Sequence, residues 1–171
     1  MSHKMHRRDL IRGAVGWAAA ASLPAWPARL RAAGANGDVR LAIIGIGGKG
    51  SAHLKQAAKI AGVRVVAISD PDTARMDTAL AALKKSEYPH EVATFQDPRK
   101  LLERKDVDAV IIATPNHWHA LAGIWACQAG KDAYVEKPVS HNIFEGRKLV
   151  EAARKYKRVV HHGIQRRSDL G

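Results

Sequence analysis

The segment Val39-Arg40-Leu41-Ala42-Ile43-Ile44-Gly45-Ile46-Gly47-Gly48-Lys49-Gly50-Ser51 constrains the fold of this 171-residue chain more than any other. A short apolar run, rich in β-branched residues, leads straight into Gly45-x-Gly47-x-x-Gly50, and a helix-like pattern follows. Strand, glycine turn and helix in that order make a nucleotide-binding βα turn. Gly45 allows a sharp turn at the strand end, Gly47 lets a pyrophosphate come close to the backbone, and Gly50 lets the helix pack on the strand. Backbone N–H groups at the helix start then face the phosphates, aided by the helix dipole. The cofactor-binding set read from the turn is Gly45, Ile46, Gly47, Gly48, Lys49 and Gly50. A Walker-type phosphate loop is excluded, because Gly50 rather than Ser or Thr follows Lys49, and Ile43 stands where the first glycine would be.

The next apolar run, residues 63–69, ends at Asp70, twenty positions beyond Gly50. A carboxylate there can accept hydrogen bonds from an adenosine ribose. No arginine stands directly beside it in the sequence to receive a 2′-phosphate, which favours NAD over NADP. Beyond this turn, apolar runs and helical patterns keep alternating. The periodicity predicts strands over 39–45, 63–69, 92–95, 107–113, 132–136 and 158–163, and helices over 48–61, 72–86, 97–104, 117–129 and 142–157. The run from Val107 to Ala113 reads as buried on both faces, as central parallel strands are. Asp72, Asp97-Pro98, Asn116 and Asn142 stand at predicted helix starts, and Gly62 and Gly130 at helix ends. Strict alternation of this kind implies the α/β class, a Rossmann-type doubly wound parallel sheet with helices on both faces.

Residues 1–35 read as a signal rather than as fold. A basic start precedes an apolar stretch that Pro24 and Pro27 break, and Ala33-Gly34-Ala35 offers a small-residue cleavage site. The stretch is too short to span a membrane. Arg7-Arg8-Asp9-Leu10-Ile11-Arg12 resembles a twin-arginine signal, which implies the twin-arginine export machinery as a partner and a periplasmic or otherwise exported location. The domain then occupies residues 36–171. The net charge of +12 raises nucleic acid as a first suspicion. Five of those charges belong to residues 1–35, and the other seven are spread over predicted helix faces, so no nucleic-acid partner is expected. The single cysteine, Cys127, excludes an internal disulfide and falls in an apolar helical pattern, as an inert core residue would.

In an open parallel sheet, ligands bind beyond the carboxyl ends of the strands. The fourth strand is followed by Ala113-Thr114-Pro115-Asn116-His117-Trp118-His119-Ala120, the fifth by Glu136-Lys137-Pro138, and the sixth by Gly163-Ile164-Gln165-Arg166-Arg167-Ser168. Polar, proton-carrying groups therefore gather at the edge that also carries the glycine turn. His117 and His119 supply too few ligands for a metal site, and none is expected. His161-His162 on the sixth strand reads as packing or interface, and Trp118 and Trp125, seven apart, as core. Lys137, between a buried strand and a proline, can hold a substrate hydroxyl and help move its proton.

These stretches, with the glycine turn, resemble the glucose–fructose oxidoreductase / inositol dehydrogenase / MocA (Gfo/Idh/MocA) family over Val39 to Ser168. The resemblance implies an N-terminal Rossmann domain that binds NAD or NADP, hydride transfer with a sugar or polyol substrate, and a homo-oligomer at full length. It assigns catalysis to Lys137, the ribose-binding carboxylate to Asp70, and the nicotinamide-ribose side to Thr114, Pro115, Asn116, His119 and Glu136. Family members continue for roughly two hundred residues as a second, substrate-binding domain. The expectation is that this domain is absent here and that the chain holds the cofactor half-site. One alternative is the glycosidase branch of the superfamily, which uses bound NAD for a redox-assisted elimination. There Val often replaces the lysine of Glu-Lys-Pro, so Lys137 counts against it. A second alternative is a non-catalytic module that binds a dinucleotide or a partner subunit.

Overall fold

The computed structural model describes residues 37–164. The expected signal at residues 1–35 and the residues Gln165, Arg166, Arg167 and Ser168 lie outside them. Six strands form one parallel sheet: β1 (Val39–Ile44), β2 (Val63–Ser69), β3 (Ala93–Phe95), β4 (Ala109–Ile112), β5 (Asp132–Glu136) and β6 (Val160–Gly163). Their spatial order is β3-β2-β1-β4-β5-β6, with every neighbouring pair parallel. The helices are α1 (Gly48–Ala57), α2 (Thr73–Lys85), α3 (Pro98–Leu102), α4 (His119–Gln128) and α5 (Ile143–Tyr156). Every predicted strand and helix is present; β2 and β5 keep the predicted ends, and the other elements are drawn in at one end or both. The chain builds outward from β1 to β3, then returns to start β4 on the other side of β1. That reversal opens a crevice at the carboxyl ends of β1 and β4, where doubly wound folds bind ligands.

Alternation along the strands, shifted by one residue at a bulge in β2 opposite Leu41 and Ala42, sorts the core into two layers. Ile43, Val65 and Ile68 face α1 and α2, packing with Ile46, Leu54, Met76 and Leu83. Ala42, Ile44, Val110, Ile112 and Val135 face the other way, packing with Leu101, Leu102, Ala122 and Ala126 of α3 and α4. Ile111 turns back toward the first layer, so β4 is covered on both sides, as its unbroken apolar run predicts. A guanidinium staple sets β4 against β1. Arg40 donates from Nε (2.9 Å) and Nη2 (2.8 Å) to the two oxygens of Asp108, and its backbone N–H adds a third bond at 2.9 Å. These bonds hold the Asp108 carboxyl below the usual aspartate range despite partial burial.

Three helix starts behave as read. The side chains of Asp72, Asp97 and Asn142 accept from the N–H groups of Ala74, Arg99 and Glu145 at 2.9–3.0 Å. Asn116 does not cap α4. It begins a single 3-10 turn, Asn116–Trp118, that runs directly into the helix, and neither has a side-chain cap. The same turn corrects the reading of Trp118. It precedes the helix proper and is 41% exposed, whereas Trp125 packs against the core. Cys127 is fully buried in α4, and desolvation raises its thiol above the ordinary range, which keeps it unreactive. No helix among the described residues is long and apolar enough to cross a membrane.

Candidate functional site

The glycine turn leaves β1 at the crevice. Gly45 has φ +88°, a conformation L side chains rarely adopt, and a Cβ there would lie 2.8 Å from the backbone of Ala113 and Thr114. A Cβ on Gly50 would lie 1.8 Å from the Gly45 carbonyl oxygen. The turn and the first coil of α1 are thus pressed onto β1 and the end of β4. Helix α1 has no side-chain cap and no acidic residue in its first turn. Its leading N–H groups are therefore left for an anion, and Gly48 and Lys49 are exposed. This cradle fits the phosphates of a dinucleotide. Beside it lies a cleft of about 390 Å³ lined by Ile46, Gly47, Gly48, Ser51, Ala74, Arg75 and Thr78. A larger groove of about 480 Å³ runs between α1 and α2, lined by residues such as Lys55, Ala82 and Tyr88, away from the carboxyl edge.

Asp70 closes β2 beside the turn, 5% exposed. Its Oδ2 accepts the Ile46 N–H at 2.8 Å and its Oδ1 the Asp72 N–H at 3.0 Å. The carboxylate is thereby a brace that holds the glycine turn against the β2–α2 connection. A ribose would share oxygens that already hold backbone donors.

The loops after β4 and β5 meet through His119. The ring is 2% exposed, and its nitrogens lie against the Thr114 carbonyl (Nε2, 2.8 Å) and the Pro138 carbonyl (Nδ1). Glu136, 3% exposed, is also turned inward. Its Oε2 accepts the Lys137 N–H at 3.2 Å. These two residues, read as lining the nicotinamide-ribose side, lie buried at the carboxyl edge, where His119 ties the loop after β4 to the loop after β5 and Glu136 holds the Lys137 N–H. Pro115, Asn116 and Lys137 are exposed at the edge, and Thr114 is half-buried. The Lys137–Pro138 peptide bond is cis.

Residues 39–164 match the family described as "Oxidoreductase family, NAD-binding Rossmann fold" (GFO_IDH_MocA). The chain belongs to that family. Among solved structures, the Gfo/Idh/MocA chain is similar to myo-inositol 2-dehydrogenase of Lactobacillus plantarum, with 27% identity and a TM-score of 0.68 over 78% of this chain and 38% of that one. It is equally similar to the WlbA dehydrogenase of Chromobacterium violaceum, solved with NADH and UDP-GlcNAcA: 26% identity and a TM-score of 0.68 over 77% of this chain and 36% of that one. Among curated relatives, it is 37% identical over 118 residues to an alpha-N-acetylgalactosaminidase of Shewanella oneidensis, covering 67% of this chain and 26% of the relative. A glycosyl hydrolase family 109 protein of Shewanella sp. strain W3-18-1 gives the same identity and coverage. The chain thus spans about a quarter of the length of these curated relatives.

Two side chains of this Gfo/Idh/MocA domain were not singled out from the sequence. Arg75, one turn into α2, pairs with Asp72 at 3.3 Å, and its Nη1 lies 3.3 Å from where a Gly47 Cβ would stand. An arginine therefore does border the cleft beside the glycine turn, although none is adjacent to Asp70 in sequence. The signal was available: residue 75 lies on the first turn of the helix that Asp72 caps, and that turn points at the crevice. The second is His53 in α1, whose Nε2 lies 2.6 Å from Oε1 of Glu136. Nothing in the local sequence of α1 reveals this, because its partner lies 83 residues away. Among the described residues, no group of three or more His, Cys, Asp or Glu is placed to hold a metal ion.

Proposed function

We propose that this domain is the dinucleotide-binding part of an exported oxidoreductase that moves hydride between a sugar or polyol derivative and NAD. The observation that carries the reading is Lys137. It is exposed at the carboxyl edge, follows a buried carboxylate and precedes Pro138, on the same edge as the glycine turn. NAD supplies the hydride acceptor when bound. The turn at residues 45–50 would hold its phosphates, and residues 114–116 and Lys137 would border its reactive end. Lys137 would hold the substrate hydroxyl and take its proton as hydride leaves the same carbon. The preference for NAD rests on the Asp70 carboxylate, which would repel a 2′-phosphate, and the nearby Arg75 opposes it. Isothermal titration of residues 36–171 with both cofactors tests the balance, and equal or tighter binding of NADP would reverse the assignment.

A second reading is favoured by the 37% identity to the alpha-N-acetylgalactosaminidase. There, bound NAD would be regenerated within each turnover and a glycosidic bond broken. The two readings separate on a protein that joins this domain to a substrate domain. Net NADH formation from free sugars supports the dehydrogenase. Release of nitrophenol from a nitrophenyl N-acetylgalactosaminide without net NADH supports the glycosidase. Neither signal leaves the non-catalytic module. Export is proposed on Arg7 and Arg8. Replacing both by Lys should retain the protein in the cytoplasm, and undiminished arrival in the periplasm would remove the proposal.

A further inference from the structure

We propose that His53 is a positioning residue that couples the phosphate-binding end of α1 to Lys137 through the buried carboxylate of Glu136. This rests on the reading of residues 45–50 as a dinucleotide site. The helix that begins at Gly48 carries His53 about 8 Å further along its axis. It lies on the face that looks across β4 to β5, because Glu136 and Tyr134 project from β5 on the side opposite Ala133 and Val135. The ring reaches the last residue of β5. With Glu136 ionised, the Nε2–H donates to Oε1 at 2.6 Å. The other carboxylate oxygen accepts the Lys137 N–H. One carboxylate thus bridges the cofactor helix and the segment that carries the exposed lysine. Both side chains of the pair are largely dry, 13% exposed for His53 and 4% for Glu136, so the bond is shielded from competing water.

A second observation shows that the ring is held in place. Tyr134 meets His53 edge-on, with ring centroids 5.6 Å apart, and stacks on His161 at 5.5 Å. Gly163 on β6 leaves the room Tyr134 needs, since a Cβ there would lie 2.5 Å from the tyrosine hydroxyl. His53 is thereby fixed in rotation as well as in reach. A small movement of α1 on binding phosphates would pass through the His53–Glu136 bond to the Lys137 backbone, two strands away in the sheet.

The test uses the 171-residue chain, labelled with nitrogen-15, and ADP as the probe. ADP carries the pyrophosphate and lacks the nicotinamide that would touch Lys137 directly. In the wild-type chain, the amides of Gly48, Lys49, Gly50 and Lys137 should all shift on titration. In His53→Ala the three helix-start amides should still respond, and the Lys137 response should be lost. His53→Gln places an N–H donor near the position of Nε2 and should restore it. His53→Phe preserves the ring packing on Tyr134 but lacks the donor, so it should behave as His53→Ala does even where the alanine variant does not fold. A Lys137 response that survives in either donor-free variant overturns the coupling. So does a silent Lys137 in a wild-type chain whose helix-start amides respond, and that result leaves the dinucleotide site standing. No response at the helix start overturns both.

Discussion

Two buried carboxylates, Asp70 at the end of β2 and Glu136 at the end of β5, hold the same glycine turn and helix from opposite sides of the crevice. They are almost equally buried, at 5% and 3%. Their donors differ. Asp70 accepts from the backbone N–H groups of Ile46 and Asp72, which any sequence would supply once the turn is formed. Glu136 accepts from a side chain, His53, and from the N–H of Lys137. The Asp70 side is therefore a scaffold that shapes the phosphate cradle. The Glu136 side connects that cradle to the one exposed lysine in the Glu-Lys-Pro segment. Similar burial at the same sheet edge carries two different tasks, and the identity of the donor separates them.

If that contrast holds, the two sides should fail in different ways. The largest effect is expected on the Glu136 side. In a protein that includes the substrate domain, Lys137→Ala should lower turnover by about 10²–10⁴-fold, the usual contribution of a general acid–base group. NAD dissociation should change by less than about tenfold, or 1.4 kcal/mol. Steady-state kinetics beside a titration read both numbers, and a turnover within about threefold of wild type would place Lys137 outside the chemistry.

On the Asp70 side, stability and cofactor binding should fall together. Gly50→Ala forces a Cβ to within 1.8 Å of the Gly45 carbonyl, a backbone atom that cannot step aside. The cost should be about 3 kcal/mol by urea denaturation, with NADH binding lost as well. Gly47→Ala is the matched control. Its Cβ meets only the end of Arg75 at 3.3 Å, so the fold should hold while binding weakens. Equal destabilisation by the two substitutions would contradict the packing described for the turn.

Asp70→Asn should cost about 2 kcal/mol, since the amide NH₂ replaces one acceptor and leaves a buried backbone N–H without its bond. Cofactor affinity should fall with it, measured by NADH fluorescence. A normal melting curve with unchanged affinity would remove Asp70 from the scaffold.

The smallest effect belongs to a carboxylate outside the crevice. Asp108 is held below the ordinary aspartate range by Arg40. Its contribution is complete above the unfolded value near pH 4 and is lost as pH falls through the lower folded value. Asp108→Asn should cost about 1 kcal/mol at neutral pH and flatten the acid limb of a plot of Tm against pH. An acid limb as steep as that of wild type would assign the acid sensitivity to other groups, Asp106 among them.

Much of this molecule was legible before any fold was known, because the signals that specify a doubly wound sheet are local. The apolar periodicity, the caps at Asp72, Asp97 and Asn142, and the positive-φ glycines at 62 and 130 each act within a few residues. The parallel, doubly wound class followed from alternation, since parallel crossovers have one hand, whereas the strand order came from the structure. The glycine spacing likewise announced a phosphate cradle, because it describes a backbone shape rather than a set of partners. Tertiary structure decided what each polar group at the carboxyl edge does there. His119 and Glu136 are held at that edge by Pro138 and His53, partners 19 and 83 residues away. Arg75 enters the cleft only because α2 packs beside α1, and Trp118 leaves the core because a 3-10 turn precedes α4. Hydrogen-bond partners across strands are set by register and by which face each helix covers, and neither is written in the spacing of any one segment.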